Sequence, residues 1–86
     1  MNRFTVVWTK EAIEQLAETW LVAADREKIA SVAESIDLEL AVDPYWKSLE
    51  ISEGIRALVL PPLRILFSVS DEDRLVEVAR INRVSR

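Results

Sequence analysis

The sequence predicts an α+β domain spanning residues 1–86: an N-terminal strand, a helical hairpin, then an antiparallel meander of three or four strands packed on the helices. Three observations carry that prediction. The opening NRFTVVW is rich in β-branched and aromatic residues, which fit a pleated, half-buried surface. Two stretches between Thr9 and Asp43 repeat apolar residues at helical spacing. After Pro44 the apolar period falls from about 3.6 to about 2, and short turns separate the runs.

Each element has its own local reason. The first strand ends near Trp8, where Thr9 offers a hydroxyl to cap a helix and Glu11 puts negative charge at that helix's positive end. Ile13, Leu16, Ala17, Trp20 and Ala24 then form an apolar stripe, which makes Trp20 an expected core residue. Asp25 is the expected cap of a second helix, in which Ile29, Val32, Ala33, Ile36 and Leu40 recur up to the break at Asp43-Pro44. SLEIS is a weak strand, GIRALVL a stronger one, and Pro61-Pro62 ends it. LRILFSVS is the clearest strand. Asp71-Glu72-Asp73 turns the chain and RLVEVARINRV returns.

Composition bounds the function. The 86 residues suffice for one compact domain, a size that buries roughly 60–65% of its unfolded surface. Half the residues are hydrophobic and 30% charged, the balance of a globular chain rather than a disordered one. The longest apolar run, Ala57 to Leu63, includes two prolines and falls far short of the ~20 residues that cross a bilayer. No membrane contact and no secretion signal are therefore expected. With neither cysteine nor histidine, disulfides are absent and a metal site is not expected, so the chain suits a reducing cytoplasm and no cofactor is implied. The net charge of −4 argues against coating nucleic acid by bulk attraction. That average conceals an asymmetry: residues 11–53 hold eleven acids against three bases, whereas residues 54–86 hold four acids against six bases.

The most informative stretch is IRALVLPPLRILFSV, which sets Arg56 and Arg64 into otherwise apolar strands. Alternation places Leu63, Ile65, Phe67 and Val69 against the helices and turns Arg64 and Leu66 to the other side. In the last strand Arg80 and Arg83 fall on opposite faces by parity; parity alone does not say which of those faces joins Arg64, and a bulge would switch it. A sheet face mixing arginines with aliphatic residues suits a groove for phosphate or carboxylate, where bidentate guanidinium bonds gain from partial dryness. Cross-strand pairing of Arg56 and Arg64 with Glu50, Glu53 or Glu77 is the structural alternative. Tyr45-Trp46, directly after Pro44, serves either as packing beneath the sheet or as a recognition element.

The ordered set of features resembles the RelE/ParE family of toxins from type II toxin–antitoxin modules, of the plasmid stabilisation type. The likeness runs from VVWTKEAIEQLAETW, through GIRALVLPPLRILFSVSDED, to LVEVARINRV. It implies the RelE/ParE-like fold, a cognate antitoxin as partner, and one of several activities. In the nuclease branch, basic side chains on the open sheet face assist metal-independent cleavage of messenger RNA in the ribosome. On that analogy Arg56, Arg64, Arg80 and Arg83 match or fall near basic site positions, and Arg56 and Arg64 stabilise charge on the phosphate. An arginine stays protonated and is no general base. The family often carries tyrosine where this chain has Leu63 and Phe67, and tyrosine or histidine near the end where it has Asn82 and Arg83. Lys10 or Tyr45 would then be the substitutes. The alternatives implied are a ParE-like inhibitor that binds DNA gyrase without chemistry, and a non-toxic family member that only binds antitoxin.

Overall fold

A computed structural model describes residues 3–84 of the chain. The order is β1 (Thr5–Trp8), α1 (Lys10–Val22), α2 (Arg26–Val42), β2 (Leu49–Ser52), β3 (Ile55–Leu60), β4 (Leu63–Ser70) and β5 (Leu75–Arg83). The α+β class and the four-stranded antiparallel run β2–β5 are as the sequence predicts. The sheet is nonetheless five-stranded and mixed, in the order β1-β5-β4-β3-β2, because β1 joins the far edge parallel to β5. The chain between these two parallel strands runs through the helical hairpin and through β2, β3 and β4, far longer than the crossover a parallel pair requires.

Both helices cover one face of the sheet. Ala12 of α1 and Ile29, Val32, Ile36 and Leu40 of α2 are buried with Leu58, Leu63, Ile65, Phe67, Val76, Val78 and Ile81. The spacing of the α2 set is the stripe read from the sequence, and Leu63, Ile65 and Phe67 are fully buried on the expected face of β4. Among the described residues, no element packs on the opposite face of the sheet.

A single irregularity in β5 decides which residues face outward. Leu66 pairs with Arg80 but Phe67 pairs with Val78, so Ala79 is an extra residue. This bulge switches the parity of the strand. Val76 and Val78 are buried before it, Ile81 after it, while Arg80 and Asn82 turn out to the open face. Helix α1 satisfies the backbone that the bulge and the end of β1 leave unpaired. Thr9 caps α1 by accepting from Ala12 N at 3.1 Å, and its hydroxyl donates to Ala79 O at 3.3 Å. Beyond the last residue of β1, Ile81 N donates to Gln15 Oε1 at 2.8 Å.

Three local expectations are corrected. Asp25 stands at the N-cap of α2, but its side chain does not cap the helix. Both of its carboxylate oxygens instead accept from Arg83, each at 3.0 Å. Trp20 is 39% exposed rather than core, while Ala12 is the fully buried residue of α1. Arg26 stacks on its indole at 4.8 Å and donates to the carbonyl oxygens of Trp20 and Leu21, closing the end of α1. Tyr45 and Trp46 are exposed rather than packed beneath the sheet.

Candidate functional site

The register of the open face sets out its side chains in rows. Leu49, Ala57, Leu66 and Arg80 form one row across β2, β3, β4 and β5. Val59, Arg64 and Asn82 form the next, and Ser68, Glu77 and Val7 lie on the other side of the first. Arg64 therefore stands near the middle of the sheet, half-buried, with Val59 on one flank and Asn82 on the other. Arg80 is its diagonal neighbour, at a separation of about 7 Å between backbones. The two cations are set among Leu49, Ala57, Val59 and Leu66.

The four arginines singled out from the sequence are not brought together. Arg56 pairs with Phe67 and so projects to the helix side, at the margin of the core. Its Nε donates to Ser48 Oγ at 2.8 Å, its NH2 donates to Ser48 O at 2.9 Å, and its guanidinium lies 4.9 Å from the Tyr45 ring. It ties the turn after α2 to the sheet. Arg83 also lies on the helix side, opposite Leu63, and is held by Asp25 at the hairpin turn. Arg80 reaches Glu11 at 3.6 Å across the sheet edge, with both side chains about 60% exposed, a geometry in which ion pairs add little. Arg64 makes no hydrogen bond or ion pair with any described residue. Glu50 stands directly opposite Arg56 across β2 and β3, as cross-strand pairing would have it, but no ion pair joins Arg56 or Arg64 to Glu50, Glu53 or Glu77.

The groups able to move protons are sparse on this face. Tyr45, the single tyrosine, lies beside Arg56 on the helix side and donates its phenol proton to Asp71 Oδ2 at 2.8 Å. Lys10 is exposed at the first position of α1. Glu77 is the one carboxylate that the described strands present on the open face.

The Asp25–Arg83 pair and Tyr45 carry the signature of their bonds in shifted ionisation. The Asp25 carboxyl is held below its ordinary range, chiefly by the hydrogen bonds from Arg83. Its folded pKa lies below its unfolded one, so the pair's contribution is complete above the unfolded value and fades as pH falls through the folded value. The Tyr45 phenol is pushed above 10, first by donating to Asp71 and then by burial. That bond contributes fully below the unfolded pKa and is lost as pH rises through the folded one. Spectrophotometric titration should give one tyrosine transition with a midpoint above 10, and Asp71→Asn should bring it down. An unshifted midpoint in the unsubstituted protein would mean that the phenol–carboxylate bond does not form.

Likeness to solved structures is extensive. A chain of the RelBE2 toxin–antitoxin complex from Mycobacterium tuberculosis superposes with a TM-score of 0.83 at 20% identity, covering 100% of this chain and 97% of the other. A chain of the chromosomal ParDE system of P. aeruginosa gives 0.72 at 21% identity, covering 99% and 100%. One from the archaeal RelE-RelB complex of Pyrococcus horikoshii gives 0.62 at 16% identity, covering 100% and 99%. The chain has the RelE/ParE toxin fold. No protein-family model and no curated protein sequence matches it significantly. At these identities the likeness is one of fold, and function has to be argued from the site. No helix among the described residues is long and apolar enough to cross a membrane.

Sequence reasoning allowed for a bulge in the last strand but did not place it at Ala79, and so did not put Arg80 on the same face as Arg64. The available signal was hydrophobicity. Val76, Val78 and Ile81 cannot share one face without an extra residue between them, and all three are too apolar to leave exposed.

Proposed function

We propose that this protein is the toxin of a type II toxin–antitoxin module, that it inhibits translation by ribosome-dependent mRNA cleavage, and that a cognate antitoxin neutralises it. The full-length likeness to toxin–antitoxin structures supports the first step. The observation that carries the mechanism is Arg64, an arginine with no hydrogen-bond or ion-pair partner among the described residues, flanked on the open sheet face by Val59 and Asn82 and diagonal to Arg80. Leaving a partly desolvated guanidinium unpaired is costly, and an incoming phosphate removes the cost with planar, bidentate bonds. Arg80 lies within reach of the same phosphate once it leaves Glu11. Together they stabilise the charge that develops as a 2′-hydroxyl attacks the phosphodiester. Glu77, one row away from Arg80, is the group on that face that can accept a proton.

A second reading has its own observation. The open face holds no imidazole or phenol, and a gyrase-binding toxin needs none. Induced expression in bacterial cells separates the two, with growth followed and ribosome-associated messages mapped for new 5′ ends. The expected result is growth arrest with codon-linked cleavage. Arrest with intact messages and filamenting cells would assign the protein to gyrase, and normal growth with folded protein present would refute the toxin reading.

A further inference from the structure

On the helix side, away from the open sheet face, α2 carries a second apolar stripe. Leu38 and Val42 are four residues apart, which places them on one face of the helix. That face is opposed to the buried Ile36 and Leu40. Leu38 and Val42 are each 57% exposed, and Trp46, from the turn after α2, is 63% exposed. With Glu39 and Asp43 they line an open groove of about 440 Å³. Packing within the domain accounts for none of the three apolar side chains.

The turn that presents Trp46 is unusually well tied. Asp43 Oδ1 accepts from Tyr45 N at 3.0 Å, and Ser48 Oγ donates to Pro44 O at 2.7 Å. Arg56 binds Ser48 twice and stacks on Tyr45, while Tyr45 bonds to Asp71. Lys47, with a φ of 70°, reaches back to Glu39 Oε2 at 3.6 Å. An exposed indole on a turn fixed at so many points loses little conformational freedom when it is covered. Rigid aromatic anchors of this kind carry much of the energy of protein interfaces.

Charge selects the occupant. Glu39 has one oxygen on Lys47 and a second, covered from solvent, with no hydrogen-bond partner among the described residues, so its negative charge is incompletely compensated. Asp43 adds a second carboxylate to the rim, and the surrounding residues 11–53 are strongly acidic. Nucleic acid and anionic membrane would be repelled, and a symmetric contact with a second copy would bring like charges together.

We infer that the groove lined by Leu38, Val42 and Trp46 is a docking surface for a basic amphipathic polypeptide segment. The segment inserts an aliphatic side chain against Trp46 and sets a lysine or arginine on Glu39 and Asp43. This inference goes beyond the toxin reading and does not rest on it, since the groove and the open sheet face are separate and both can be engaged at once.

The test is a titration of the isotopically labelled full chain with two synthetic helical peptides of identical leucine pattern, one with lysine and one with glutamate at the polar positions. The lysine peptide is expected to shift the Trp46 indole N–H and the Leu38 and Val42 methyl signals while the Trp20 indole stays in place. Trp46→Ala should weaken binding by about tenfold or more, and Glu39→Gln by about fivefold. Both changes are at partly exposed positions, and circular dichroism verifies that the variants are folded. Equal binding of the glutamate peptide, or no binding at millimolar concentration, would overturn the proposal. So would concentration-dependent self-association, detected by sedimentation and lost in Trp46→Ala, because the occupant would then be a second copy. Growth arrest enters none of these outcomes, so failure here leaves the toxin reading standing.

Discussion

Replacing Phe67 with alanine should lower the unfolding free energy by about 3–5 kcal/mol, the usual cost of emptying a fully buried aromatic site. Phe67 is completely buried on β4, paired with Arg56 on one side and Val78 on the other, and it is the largest fully buried side chain. Both neighbours are fixed by sheet hydrogen bonds, so the cavity has little freedom to collapse. A domain of 86 residues has a total stability of roughly 4–13 kcal/mol. The loss is thus comparable to the whole. Thermal denaturation followed by circular dichroism should show a midpoint lower by roughly 15 °C or more, if the variant folds at all. Phe67→Leu, which keeps most of the volume, should cost no more than about 1.5 kcal/mol. A drop below about 1 kcal/mol for the alanine variant would show that this core is not the cooperative centre of the domain.

The contrast between residues that the sequence places well and residues that it places poorly has a physical basis. Ile29, Val32, Ile36 and Leu40 declare their side of α2 because a helix has a fixed period, and burial selects a continuous stripe. Leu63, Ile65 and Phe67 do the same for β4 with a period of two. Thr9 is legible as a cap because the bond it makes, to Ala12 N, is local. Asp25 is misread for the complementary reason. Its local role competes with a remote arginine that no spacing rule reveals, and the bidentate charge-assisted pair with Arg83 takes both oxygens.

The arginines pose the same problem more acutely. Arg56 and Arg64 both interrupt apolar strands, and their parity relative to one another depends on the register across the Pro61-Pro62 turn. The pairing of Leu60 with Leu63 and of Arg56 with Phe67 puts them on opposite faces. Arg80 shares a face with Arg64 only because of one extra residue at Ala79. Sequence patterning thus located the sheet and its core face. Assembling the site needed register, a non-local property carried by the turn and the bulge.

Arg64→Ala is expected to abolish growth arrest while leaving the fold intact, and Arg56→Ala is expected to weaken the fold while leaving the activity of the folded fraction unchanged. Arg64 bonds to no described residue and lies on the open face, so truncation removes a binding group and little packing. If it stabilises a transferring phosphate, the cleavage rate should fall by about 10²–10³-fold, the effect of removing one preorganised charge donor. RNA binding should also lose about one unit of its salt-dependence slope for each phosphate contact removed. Arg64→Lys should recover only part of the activity, because an ammonium supplies charge without the planar fork. Arg56→Ala, by contrast, strips the partners from Ser48 and the stacked cation from Tyr45. It should cost about 1–3 kcal/mol of stability through the buried Ser48 carbonyl left unpaired, while the Ser48 hydroxyl keeps its bond to Pro44 O. Its specific cleavage activity, measured where the variant remains folded, should be close to that of the unsubstituted protein. Chemical denaturation and primer-extension mapping of messages, applied to both variants, decide the matter. A crossed result, with Arg64→Ala destabilised and active and Arg56→Ala stable and inactive, would move the site to the helix side of the sheet.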